Sequence, residues 1–311
     1  MKGGAVSAVG TEKAVVRVDY FTDPSCSWAW GTEPKIRKIE WEFGGLLAWT
    51  YRVGGLFHDV DLACPTHEEL LRAGEHLGRY WEAIAIETGM PTETRLRRAT
   101  VSTHPAGIAF KAAQIQGEKV ALRFLRRLRE GFLAEGKNLD DPDSILNQAR
   151  TVPGLDVDRL ARDMEGEQAR AAFQEDWEAT RNPLREVVDF PHEDRPGTGR
   201  PRMVDGRLRY VFPTMIFQGE GGRRPVAGWN PYEAYLEAIE AVAPGIGTRR
   251  GQPPTVDELL REYARVATKE VEIVCEIPRD RAIEVLEALE AKGSVARVPA
   301  GTDCFWDWIG A

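Results

Sequence analysis

Cysteine is scarce in this 311-residue chain: Cys26, Cys64, Cys275 and Cys304 are the only four, and no two of them form a C-x-x-C pair. Neither a disulfide framework nor a cysteine-built zinc site can organise such a chain. The five histidines (His58, His67, His76, His104 and His192) show no metal-ligand spacing, so no metal is expected. No segment approaches the roughly 18 continuous apolar residues of a membrane helix. The first nine residues hold one lysine and no apolar stretch of the length a secretory signal needs. The expectation is a cytoplasmic protein with reduced thiols and no membrane partner. A net charge of -8 gives no general attraction for nucleic acid, and none is expected as a partner.

The chain is long enough for two domains, or for one domain carrying a large insertion. Residues 14–21 alternate apolar and polar after the first two positions, which predicts a strand ended by Asp23-Pro24. Ile36, Ile39 and Phe43 predict a helix over 27–43, kinked at Pro34 and closed by Gly44-Gly45. Leu47, Trp49, Tyr51 and Val53 alternate again, so the first 55 residues read as one βαβ unit. From 66 to about 181 helical stripes take over, as an all-helical insertion. Within it, the basic run Arg123 to Arg129 reads as a solvated helix face. Residues 191–209, rich in Pro, Gly and Arg, read as a loop. Strands at 211–218 and 225–228 and a helix at 231–242 complete an α/β unit. Beyond the Gly/Pro-rich stretch 243–254, three helices and a hairpin over 255–308 follow the order of a winged helix, with Trp306 and Trp308 in its core. DNA binding is not expected of it. Residues 250–311 hold eight Lys or Arg against twelve Asp or Glu, and the would-be reading helix carries Asp280, Glu284, Glu287 and Glu290.

The chemistry concentrates at Cys26, which follows a strand and opens a helix. A free thiol, with a pKa of about 8.5, is mostly protonated at neutral pH. A helix N-terminus stabilises the thiolate. Cys26 is therefore the candidate nucleophile. Ser25, Ser27 and backbone N–H groups are its expected hydrogen-bond partners, and Trp28 is an aromatic wall. Ala29 stands where a dithiol site would carry its second cysteine, so a mixed disulfide at Cys26 lacks an adjacent resolving thiol. Three routes remain: resolution by an external small thiol such as glutathione, resolution by Cys64, or no redox cycle at all; no cofactor is otherwise required. Phe212-Pro213-Thr214 is the second candidate element, a cis-proline loop whose backbone would pair with an extended protein or peptide thiol or disulfide substrate.

These strings resemble the DsbA-like branch of the thioredoxin superfamily, in particular its FrnE-like dithiol-disulfide isomerases and oxidoreductases. The likeness runs over about 14–243 and rests on Asp23-Pro-Ser-Cys-Ser-Trp-Ala-Trp30, Ser102 to Ala113, Phe124 to Leu139, and Phe212-Pro213-Thr214. It implies an α/β thioredoxin fold with a large all-helical insertion, plus a small C-terminal winged-helix-like α+β domain. The division is 12–65 with 190–245 as the discontinuous thioredoxin-like domain, 66–189 as the insertion, and 252–311 as the tail. It implies a thiol-disulfide oxidoreductase or isomerase working as a monothiol through Cys26. Two other resemblances imply different roles. Kappa-class glutathione transferases and 2-hydroxychromene-2-carboxylate isomerases share the architecture but carry serine at the nucleophile position. Adaptors that deliver a stress transcription factor to a AAA+ protease resemble this chain at Trp30 to Lys38, at Val53 to Leu56, and in having an extra C-terminal domain; they imply a non-catalytic protein-binding role.

Overall fold

The computed structural model describes residues 14–58, 66–96, 98–193, 195–248 and 250–310. Strand β1 (Val16–Thr22) buries Val16, Val18 and Tyr20 by period-two alternation. Next come α1 (Ser27–Trp30), α2 (Glu33–Phe43) and β2 (Leu47–Val53). The helix expected over 27–43 is broken in two at Gly31-Thr32. Pro34 therefore sits in the first turn of α2, where a missing N–H costs nothing, and kinks no helix.

The insertion runs through α3 (His67–Thr88), α4 (His104–Gln116), α5 (Glu118–Arg129) with a π-helical turn at Glu130–Ala134, α6 (Pro142–Ala149), α7 (Val157–Glu165), α8 (Glu167–Thr180) and α9 (Arg185–Val188). A reciprocal capping box fixes the start of α3, Thr66 Oγ1 accepting from Glu69 N while the Glu69 carboxylate accepts from Thr66 N.

The stretch expected as a loop contains a hairpin, β3 (Arg202–Val204) and β4 (Arg207–Arg209). Its turn residues Asp205 and Gly206 have φ of 51° and 72°, the pair of left-handed residues that a two-residue hairpin turn requires. Strands β5 (Thr214–Gly219) and β6 (Gly222–Ala227) and helix α10 (Tyr232–Val242) follow. The sheet order is β2-β1-β5-β6, with β1 and β2 parallel and the other pairs antiparallel. This is the thioredoxin fold with its helical insertion between β2 and β5. One continuous apolar cluster runs from the sheet into the insertion.

The tail comprises α11 (Val256–Tyr263), β7 (Arg265–Ala267), α12 (Thr268–Val274), α13 (Arg279–Ala291), β8 (Val295–Ala300) and β9 (Asp303–Trp308), with sheet order β7-β9-β8. This is winged-helix order around its own apolar cluster. Trp306 is fully buried there, while Trp308 packs half-buried at its margin. Beside the packing of Ala267, Ala300 and Phe305 into the body's apolar cluster, two polar contacts position the tail on the body. The wing tip docks on the loop after α3, Thr302 N donating to Thr92 O at 3.0 Å and Thr92 N to Thr302 Oγ1 at 3.2 Å. A side chain at Gly301, φ 49°, would lie 2.2 Å from the Thr92 carbonyl group, so Gly301→Ala is expected to lower stability by about 1–3 kcal/mol in urea unfolding. A loss below a few tenths would mean that the wing is not docked.

The second contact is ionic. Glu270 on α12 is completely buried and pairs with Arg37 of α2 at 2.9 Å and with Arg126 of α5 at 2.8 Å. Arg126 also holds Glu33 and Glu130, and Arg129 pairs with Glu33. Of the run expected to be solvated, Arg123 is exposed, but Arg126 and Arg129 are instead the hub of a buried network joining body, insertion and tail. Two of its acceptors, Glu33 and Glu270, come from elements distant in sequence.

Candidate functional site

The fold brings the eight sequence-predicted site residues together and buries them all. Cys26 is the N-cap of α1; Ser25, Ser27, Trp28 and Ala29 flank it, and Phe212-Pro213-Thr214 closes over it from β5. The Phe212–Pro213 peptide bond is cis. Cys26 Sγ donates to Phe212 O at 3.3 Å and accepts from Ala29 N at 3.4 Å. Cys64 lies outside the described residues.

This geometry departs from the thiolate expected at Cys26. Its residue is only 4 % exposed, and burial pushes the thiol up to about 11. The hydrogen bond from Ala29 N pulls the other way, and the buried Asp23 carboxylate adds to the rise. Helix α1 has only four residues, too few peptide dipoles to offset that desolvation. Ser25, expected to face the sulfur, turns its hydroxyl to Asp23 instead. Asp23 also accepts from Leu56 N at 2.8 Å and Thr103 Oγ1 at 3.1 Å. Burial raises its own pKa. It ties the active-site turn to β2 and α4, a role not read from the sequence.

The backbone acceptors expected to receive a partner strand are occupied internally. Phe212 O takes the Cys26 thiol, Pro213 O takes Gly228 N at 2.7 Å, and Val211 O takes Thr214 Oγ1 at 2.7 Å. A cover seals the outside. Trp28 Nε1 donates to Tyr80 Oη of α3 at 3.0 Å, and the Trp28 ring lies 5.9 Å from that of Trp229. Gly197, φ 73°, passes so close to Trp28 that a Cβ there would stand 3.0 Å from the ring. Tyr80, Gly197 and Trp229 escaped the sequence reading because each lies more than fifty positions from Cys26. Among the described residues no group of three or more His, Cys, Asp and Glu is placed to hold a metal ion, and no helix is long and apolar enough to cross a membrane.

A family model described as thioredoxin matches residues 20–189, more than half of the sequence. The chain belongs to the thioredoxin family. Among relatives of this thioredoxin-family protein is the ClpXP adapter protein SpxH of Shouchella clausii, 27% identical over 300 residues, 96% of this chain and 90% of that one. Among solved structures, a candidate protein disulfide isomerase from Nitrosomonas europaea superposes with a TM-score of 0.55 at 18% identity, covering 74% of this chain and 97% of that one. The cytosolic disulfide reductase DsbM from Pseudomonas aeruginosa gives 0.50 at 18% identity, over 71% and 97%. At such identities the structural likeness speaks for the fold alone, whereas the adapter's likeness extends over the tail as well.

Proposed function

We propose that this protein is a non-catalytic thioredoxin-fold adaptor of the cytoplasm that binds a protein client and presents it to a AAA+ protease. The observation that carries the reading is the sealed sulfur of Cys26, bonded to Phe212 O, pushed up to about 11 and roofed by Trp28, Tyr80 and Gly197. A nucleophilic cysteine needs ionisation and access. This one has neither, and Ala29 supplies no second thiol. Full-length kinship with a ClpXP adapter supports the same reading, tail included. The tail's wing tip and α12 are consumed in holding it to the body, which fits a protein-docking platform better than a DNA reader. No cofactor is needed.

The test compares the protein with Cys26→Ser as bait in cell extract, read by non-reducing electrophoresis and mass spectrometry. Serine keeps a donor for Phe212 O, so both baits are expected to retain the same partners, all released without reductant. A covalent adduct mapped to Cys26, lost in Cys26→Ser, would return the protein to the monothiol oxidoreductases.

A further inference from the structure

A cavity of about 320 Å³ opens at the seam between the C-terminal end of α2 and α11 of the tail. Its walls are two aromatic rings, Trp41 and Tyr263, and two carboxylates, Glu40 and Glu262, over a floor of Gly44-Gly45. Among the described residues neither carboxylate has a cationic partner within 4 Å. Among the described residues the Glu40 carboxylate accepts one hydrogen bond, a long one from Tyr263 Oη at 3.5 Å. Burial, reinforced by Glu33 and by Glu262, pushes the Glu40 carboxyl up to about 7 against the pull of Arg37. Carboxylates without an ion pair beside half-buried aromatic rings form a receptor for a guanidinium or ammonium group, and the Tyr263 ring already carries the Arg37 guanidinium at 4.3 Å on one side. The chain itself demonstrates that chemistry. Arg250, from the linker ahead of α11, lays its guanidinium 3.9 Å above the Trp41 ring, and the linker is strapped there by Arg250 N to Glu42 O and Trp41 Nε1 to Gln252 O, both 3.2 Å.

We propose that this pocket is a subsite for an arginine or lysine side chain of the client protein, with Arg250 as the resident occupant that the client displaces. The choice of a basic segment follows from charge. The chain carries -8 overall, and residues 250–311 hold eight basic against twelve acidic residues, so a basic segment is attracted toward this face. Glu262 is solvent-exposed and accessible to an incoming side chain, while Glu40 lies deeper. Arg250 holds the pocket through its contact with Trp41 and has no ion pair with either carboxylate among the described residues. A client cation that reached Glu40 and Glu262 would make the contacts Arg250 does not.

The proposal rests on the adaptor reading, and its test is independent of finding the client. The full chain is titrated calorimetrically with an acetylated hexa-arginine amide at pH 7.5. Glu262→Gln is expected to weaken binding about fivefold, the upper range for one partly exposed charge pair, and Arg250→Ala to strengthen it about twofold to fivefold by vacating the Trp41 face. Glu284→Gln, on the acidic solvent face of α13, should leave it unchanged. Absence of binding, an unaltered affinity in Glu262→Gln, or an equal loss in Glu284→Gln would each overturn the subsite, the last by reducing it to general attraction. None of these results bears on whether clients are captured in extract, so failure here and failure of the adaptor reading are separable.

Discussion

Replacing Glu270 by alanine is expected to lower the stability of the protein by about 3–5 kcal/mol, the cost of removing one partner from a buried ion network and leaving its cations uncompensated. Three demands converge on that carboxylate. It accepts from Ala267 N at 2.7 Å, completing the first turn of the seven-residue α12. It takes both terminal nitrogens of Arg126, at 2.8 and 3.1 Å, while Arg126 stacks 4.5 Å from the Trp30 ring. Its second oxygen pairs with Arg37 at 2.9 Å. Without it Arg126 keeps Glu33 and Glu130, but Arg37 loses its only carboxylate among the described residues. Glu270→Gln restores the cap yet turns an amide toward two guanidiniums, so it should recover only part of the loss. Denaturant unfolding measures the magnitude, and limited proteolysis near Gly251 tests the mechanism, since a tail released from α2 exposes its linker. A loss under about 1 kcal/mol would mean that water already screens these charges.

That network also marks where sequence stops being legible. The strands and most helices could be read because their signals are local: alternation through β1 and β2, and apolar stripes in the insertion. The winged order of the tail was readable for the same reason, although β7, with three residues, is too short to alternate visibly. The hairpin of β3 and β4 was missed despite its Asp205-Gly206 signal, because the Pro, Gly and Arg around it suggested a loop. Arg126 looked solvated because its acceptors Glu33 and Glu270 stand 93 and 144 positions away. The pairing of Cys26 with the Pro213 loop was found by matching a strand-turn-helix to a strand-entry proline, although Ser25 was wrongly expected to bond the sulfur. What lies above them was not found, since Tyr80 and Gly197 arrive from other elements and no spacing rule connects them to Cys26. The thiol's position in the fold could be inferred from sequence; its accessibility depends on tertiary packing.

Native alkylation of Cys26 is therefore expected to be at least roughly two hundred times slower at pH 8 than that of an unstructured cysteine. A free thiol near pKa 8.5 is about one-quarter ionised at that pH, whereas a thiol at about 11 is ionised to about one part in a thousand. The cover of Trp28, Tyr80 and Gly197 slows the reagent further. The sign of the pH dependence follows. The folded state holds the proton more tightly than the unfolded state, so this stabilisation is complete below about pH 8.5 and is lost as the pH rises toward 11. Site-resolved mass spectrometry after iodoacetamide pulses from pH 7 to 10, native and in urea, should show slow native labelling that climbs about tenfold per pH unit and a urea rate that levels near pH 9. Glu or Asp neighbours cannot produce the rise alone: Asp23 only adds to a burial effect that outweighs it. Conversely, native labelling at pH 8 within a few-fold of the urea rate would place an ionised, reachable sulfur at the head of α1. That sulfur would attack disulfides, and the oxidoreductase reading would displace the adaptor one.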